Sequence, residues 1–94
     1  MAVPANSIAL TGSDQTVRTG ISVYRGFVVR ETAGAAASAR VYDGTDNTGT
    51  LIDVISLAPN ESAREYYGEG GLWCATGIYV DILAGTIEGS VRVG

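Results

Sequence analysis

Ile78-Tyr79-Val80-Asp81-Ile82-Leu83-Ala84, then Gly85, then Thr86-Ile87-Glu88-Gly89-Ser90-Val91-Arg92-Val93 is the stretch that decides the fold. Ile78, Val80, Ile82 and Ala84 fall on one side of an extended chain, with Tyr79, Asp81 and Leu83 on the other. Ile87, Gly89, Val91 and Val93 likewise oppose Glu88, Ser90 and Arg92. A period of two marks a half-buried strand, not a helix. Ala84-Gly85 between the two runs reads as a tight hairpin. Upstream, Ala37, Ala39 and Val41 oppose Ser38, Arg40 and Tyr42 in the same way. In Leu51–Leu57 both faces are mostly apolar, which predicts the most buried strand.

The punctuation agrees. Thirteen glycines and two prolines leave no run longer than nine residues free of both, Ala35–Asp43 and Thr50–Ala58. Helices average about 11–12 residues and lose roughly 1 kcal/mol per internal glycine. The alanine-rich Thr32–Arg40 is the one rival helix, and Gly34 weakens it. Expected strands are Ser22–Arg25, Gly26–Thr32, Ala37–Asp43, Leu51–Leu57, Ser62–Tyr67, Leu72–Thr76 joined loosely to Ile78–Ala84, and Thr86–Val93. Ala58-Pro59-Asn60-Glu61 suits a type I turn, and Thr76-Gly77 a bulge or break. The expected fold is all-β, a small antiparallel β-sandwich or barrel. It is jelly-roll-like, with about seven short strands.

A chain of 94 residues holds one domain. Its net stability is on the order of 5–9 kcal/mol. Residues 21–94 read as the sandwich. Residues 1–20 are polar with scattered apolar positions and read as an extended N-terminal arm, anchored by Ile8, Leu10 and Val17. Such an arm is either a frayed terminus or a strand donated to a neighbouring subunit.

Composition excludes several functions. Net charge is −4, so a phosphate-neutralising nucleic-acid footprint is not expected. Histidine is absent, removing the commonest general base and metal ligand. The single cysteine, Cys74, allows no intrachain disulfide and no thiolate zinc site. No cofactor motif appears. No run approaches the roughly 20 apolar residues of a spanning helix, and the first residues lack a signal-peptide pattern. Neither membrane insertion nor export is expected, and synthesis is placed in a cytoplasm.

Few constellations carry chemistry. Glu61, Glu65 and Glu69 would share one face of a helix but not of a strand, so paired-carboxylate catalysis is not expected. Asp43-Gly44-Thr45-Asp46-Asn47 offers oxygen ligands without the spacing of a calcium loop, so it reads as a turn. Tyr66, Tyr67 and Trp73 cluster around Gly68–Gly71, where aromatics serve a core, a protein contact or a sugar face. All six basic residues are arginine, a side chain suited to interfaces. The candidate interface set is Ile8, Leu10, Arg64, Tyr66, Tyr67 and Trp73. No catalytic, cofactor or metal residue is assigned.

Ala39-Arg40-Val41-Tyr42-Asp43-Gly44-Thr45, Gly49-Thr50-Leu51-Ile52, Leu57-Ala58-Pro59-Asn60-Glu61-Ser62, Arg64-Glu65-Tyr66-Tyr67 and Gly77-Ile78-Tyr79-Val80-Asp81 together carry a family likeness. About two thirds of the chain, without residues 1–20, resembles small all-β virion proteins of tailed bacteriophages, in particular capsid decoration (head cement) proteins. The resemblance implies a structural protein and not an enzyme. It implies a place on the capsid surface and, as partners, the major capsid protein and further copies of the same chain, as a homotrimer or other homo-oligomer. A phage neck or tail structural protein would read the same way. The alternative from the aromatic cluster is a carbohydrate-binding module, with glycans as ligands.

Overall fold

The computed structural model describes residues 5–68 and 70–94. Among them are nine strands and no helix: β1 (Asn6–Ala9), β2 (Gln15–Thr19), β3 (Ser22–Glu31), β4 (Ala37–Asp43), β5 (Thr50–Leu57), β6 (Ser62–Tyr66), β7 (Leu72–Cys74), β8 (Gly77–Ala84) and β9 (Ile87–Val93). They form two antiparallel sheets, one ordered β1-β9-β3-β6 and the other β2-β8-β4-β5. β7 continues the β6 flank, pairing Ser22–Tyr24 of β3 while β6 pairs Gly26–Arg30. Counted with β6 and β7 as one interrupted strand, this is the strand order of a jelly roll.

The alternation read from sequence sets the core. Ile78 and Val80 of β8, Ala39 and Val41 of β4, and Ile87, Val91 and Val93 of β9 all face inward and are buried. Tyr24, Phe27 and Val29 of β3 meet them from the other sheet. Each such large side chain contributes roughly 1.5–3 kcal/mol through burial.

Several expectations need correction. The stretch read as an arm is part of the sandwich: β1 pairs with β9, and β2 pairs with β8. Residues 1–4 of that stretch lie outside the described residues. The two strands expected at Ser22–Arg25 and Gly26–Thr32 are one, because Gly26 sits at a register shift of β3 on β9 rather than at a strand end. Leu51–Leu57 belongs to an edge strand, with Leu51 47% and Val54 59% exposed, and not to the sandwich centre. A register shift against β4 and the inward-turned Asp53 interrupt its apolar face. Ala84-Gly85 joins strands of different sheets and is not a hairpin, and Thr76-Gly77 is a break of the same kind. Asn60 has a φ of 61° and Glu61 N–H donates to Ala58 O at 3.0 Å. A positive φ at the third position makes this turn type II, which asparagine tolerates.

Two carboxylates hold the inter-sheet connections. Glu31, at the end of β3, is fully buried. It accepts N–H bonds from Ala33 (2.7 Å), Gly34 (2.8 Å), Ala35 (3.1 Å) and Asn60 (2.9 Å). One side chain thus pins the β3–β4 and β5–β6 loops together. Asp43 accepts from Ala75, Thr76 and Gly77 at 2.9–3.3 Å, fixing the β7–β8 crossing. These bonds, from Asn60 first for Glu31 and from Thr76 first for Asp43, hold both carboxyls below the usual carboxylate range. Their stabilisation is therefore present above about pH 4 and is lost as pH falls through the lowered folded values. Asp81 runs the other way. Burial, then Asp14, raises its pKa, so its protonation offsets part of that loss.

Glu31→Gln is expected to lower the melting temperature at neutral pH by about 5–10 °C, since an amide nitrogen would face the Ala33 N–H. The variant should also show a shallower loss of stability between about pH 5 and pH 2 than the parent. Thermal melts across that range decide it, and identical pH profiles for the two proteins would refute the role given to Glu31.

Candidate functional site on the outer face of the β1-β9-β3-β6 sheet

The two outer faces differ. On the β2-β8-β4-β5 sheet, Tyr42 and Tyr79 are cross-strand partners, and Tyr42 is nearly buried although it faces outward. The β4–β5 loop lies near the neighbouring Tyr79 and Asp81. Its Asn47 bonds Asp81, which is 7% exposed, and its Asp46 adds the smallest contribution to a raised Tyr79 hydroxyl, after burial, Asp14 and Asp81. Asp46 in turn accepts from Thr48 N–H at 2.9 Å. That stretch, read from sequence as a turn offering oxygen ligands, uses its carboxylates on backbone: Asp46 on its own loop at Thr48, and Asp43 on the β7–β8 crossing. No group of three or more His, Cys, Asp or Glu side chains that could hold a metal occurs among the described residues.

The other outer face is bare. Register aligns three rows across β9, β3 and β6: Arg92–Gly26–Tyr66, Ser90–Val28–Arg64 and Glu88–Arg30–Ser62. On β7, Trp73 pairs with Val23 about 10 Å further along β3. Val28 is 38%, Tyr66 60% and Trp73 66% exposed. Val28, Arg64, Glu65, Tyr66 and Arg92 line a shallow groove of about 180 Å³. Gly26 lies between Arg92 and Tyr66 in its row, so no side chain fills the middle of that row. It must be glycine, since its φ is 128° and a Cβ there would lie 2.0 Å from Glu65 O. Arg92 Nη1 donates to Ser7 Oγ at 3.1 Å and to Ser90 Oγ, which fixes its guanidinium on this face.

Of the residues named from sequence, Arg64, Tyr66 and Trp73 come together here. Tyr67 does not. Its hydroxyl donates to Asp53 Oδ2 at 2.9 Å, and its ring lies 5.9 Å from that of Tyr24. Tyr24 donates to the same oxygen at 2.9 Å. Burial first, then Asp53, pushes Tyr67 up to about 12 and Tyr24 further still. This cluster ties the β6–β7 turn to β5 across the sheets. Ile8 and Leu10 pack against their own core. Of the three glutamates weighed, Glu61 caps its turn through Ala58 N–H at 2.7 Å, Glu65 borders the groove, and Glu69 lies outside the described residues.

Val28, Arg30 and Arg92 were not read as site residues. No local motif marks them, because only the pairing of β3 with β6 and β9 makes them neighbours of Arg64 and Tyr66. Comparison with protein-family models, with curated proteins and with solved structures returns no match.

Proposed function

We propose that this chain is a structural virion protein, a capsid decoration protein that seats the outer face of its β1-β9-β3-β6 sheet on the phage head and braces neighbouring capsid subunits. One observation carries the reading. One outer face gathers exposed tyrosine, tryptophan and arginine, the first and last in neighbouring rows, whereas the large side chains exposed on the other sheet, Leu51, Val54 and Leu83, are aliphatic. Those three residue types dominate protein-binding hot spots. The likeness to phage decoration proteins supports the same assignment.

Magnitudes favour an array. The bare face measures roughly 20 Å by 25 Å, about 500 Å², against about 800 Å² per partner in a standard interface. A single copy would hold weakly, and copies touching each other or straddling two capsid subunits would gain by multivalency. Density-gradient sedimentation of a source lysate tests the proposal. The chain should run with a megadalton particle in near-stoichiometric ratio to its shell protein, whereas a few copies per particle would point to a neck or tail. A chain found only at the top of the gradient would overturn the virion reading.

Tyr66 and Trp73, exposed on the same flank, also suit a sugar-stacking platform. That reading requires glycan retention by the native chain and its loss in Trp73→Ala. An empty glycan array would dismiss it.

A further inference from the structure

Charge is segregated between the two sheets. The five aspartates lie on β4, β5 and β8 or in the loops entering β2 and β5, all on one side of the sandwich. Four of the six arginines lie on β3, β6 and β9. The three rows of the bare face hold Arg30, Arg64 and Arg92 against Glu88 alone, a local charge of +2 on a chain of −4. Arg30 and Glu88 are direct cross-strand partners, so they compensate each other. The other two arginines of these rows, Arg64 and Arg92, stand on either side of the open space over Gly26. Both line the groove with Val28, Glu65 and Tyr66, so two guanidiniums stand against one carboxylate there and the lining stays positive. Nη1 of Arg92 is held by two serine hydroxyls, and a guanidinium has five N–H donors, enough to engage a carboxylate as well.

We infer that the groove over Gly26 receives an acidic side chain of a partner protein, clamped between Arg64 and Arg92 and covered by Tyr66. The inference rests on the face being the docking surface and names the chemistry it selects. A partner protein fits better than a nucleic acid. The aspartate-bearing sheet lies about 10 Å behind the face, close to one Debye length at physiological salt, so a long polyanion is repelled where a local carboxylate patch is not. Val28, Tyr66 and Trp73 supply the apolar surround of a protein hot spot.

The test titrates the 15N-labelled full chain with an octaglutamate peptide and, separately, with octaglutamine. Amide shifts should be confined to Val28, Arg30, Arg64, Tyr66 and Arg92, should be absent with octaglutamine, and should collapse between about 0.05 and 0.3 M salt. Arg64→Glu combined with Arg92→Glu should weaken binding by at least about 30-fold. Arg64→Gln, which leaves the Arg92–serine bonds intact, should weaken it about 10-fold. No shifts, or shifts on the aspartate-bearing sheet, would overturn the inference.

Co-sedimentation with particles separates the two claims. Octaglutamate binding without particle association sinks the virion reading and keeps the acidic partner. Particle association that both arginine variants retain does the reverse.

Discussion

Gly89→Ala is expected to remove a large share of the chain's stability at 25 °C. Gly89 sits mid-strand in β9, opposite Val29 of β3, the pair of strands that organises the whole β1-β9-β3-β6 sheet. Its φ is +141°, and a Cβ would lie 2.0 Å from Val28 O and 2.8 Å from Val29 Cα. Both are backbone atoms, so no side chain can swing aside. Relief requires β3 and β9 to separate, and β1 hangs from β9 through Leu10 N–H to Gly89 O at 2.9 Å. A loss above about 4 kcal/mol follows, a large share of the stability of so small a domain. Gly12→Ala is the control. Gly12 also has positive φ, +89°, but nothing lies within 4 Å of the added carbon. It should cost only about 1 kcal/mol. Urea titrations of both variants decide the matter, and equal losses would show that backbone conformation, not strand contact, governs the sheet.

The second large effect is expected at Asp53. Its Oδ2 accepts both tyrosine hydroxyls, and Tyr24 is fully buried. Asp53→Ala strands the Tyr24 hydroxyl in the core and frees the β6–β7 turn, at a cost of about 2–4 kcal/mol. Asp53→Ala with Tyr24→Phe should recover part of this, because no buried donor is then left unpaired. The cluster also sets an alkaline limit. A tyrosine whose folded pKa is raised contributes stability that is full below its ordinary value near 10 and is lost as pH rises toward the folded value. With Tyr67 at about 12 and Tyr24 higher, melting temperature should begin to fall above about pH 10. A flat melting curve up to pH 12 in the parent protein would contradict the cluster's role.

What was legible in the sequence was what alternation encodes. β4, β8 and β9 each bury one apolar face, and their faces were assigned from residue order alone. β1 and β2 were missed because each is a polar edge strand. Together they bury little beyond Ile8 and Val17, too few residues for a period to show. β5 misled through Leu51 and Val54, apolar side chains left outside by its edge position. Gly26 was read as punctuation, although its work is a close strand approach that only long-range pairing reveals. At the site, Arg64, Tyr66 and Trp73 could be named because interface chemistry concentrates in those residue types. Arg92 and Val28 could not, since nothing between residues 28 and 92 signals that β3 and β9 are neighbours.

The central claim is that the bare β1-β9-β3-β6 face is the one that docks. Thiol protection tests it directly. Cys74 is buried and its thiol is pushed up to about 11 by burial first, then Asp43, so the native cysteine stays silent to maleimide. A reporter at Ser62→Cys stands on the bare face beside Arg30, and one at Ser56→Cys stands exposed on the opposite sheet. On particles carrying the chain, Ser62→Cys should be protected from labelling while Ser56→Cys reacts as in free protein. Protection at Ser56→Cys with full reactivity at Ser62→Cys would place the contact on the wrong sheet and contradict the account.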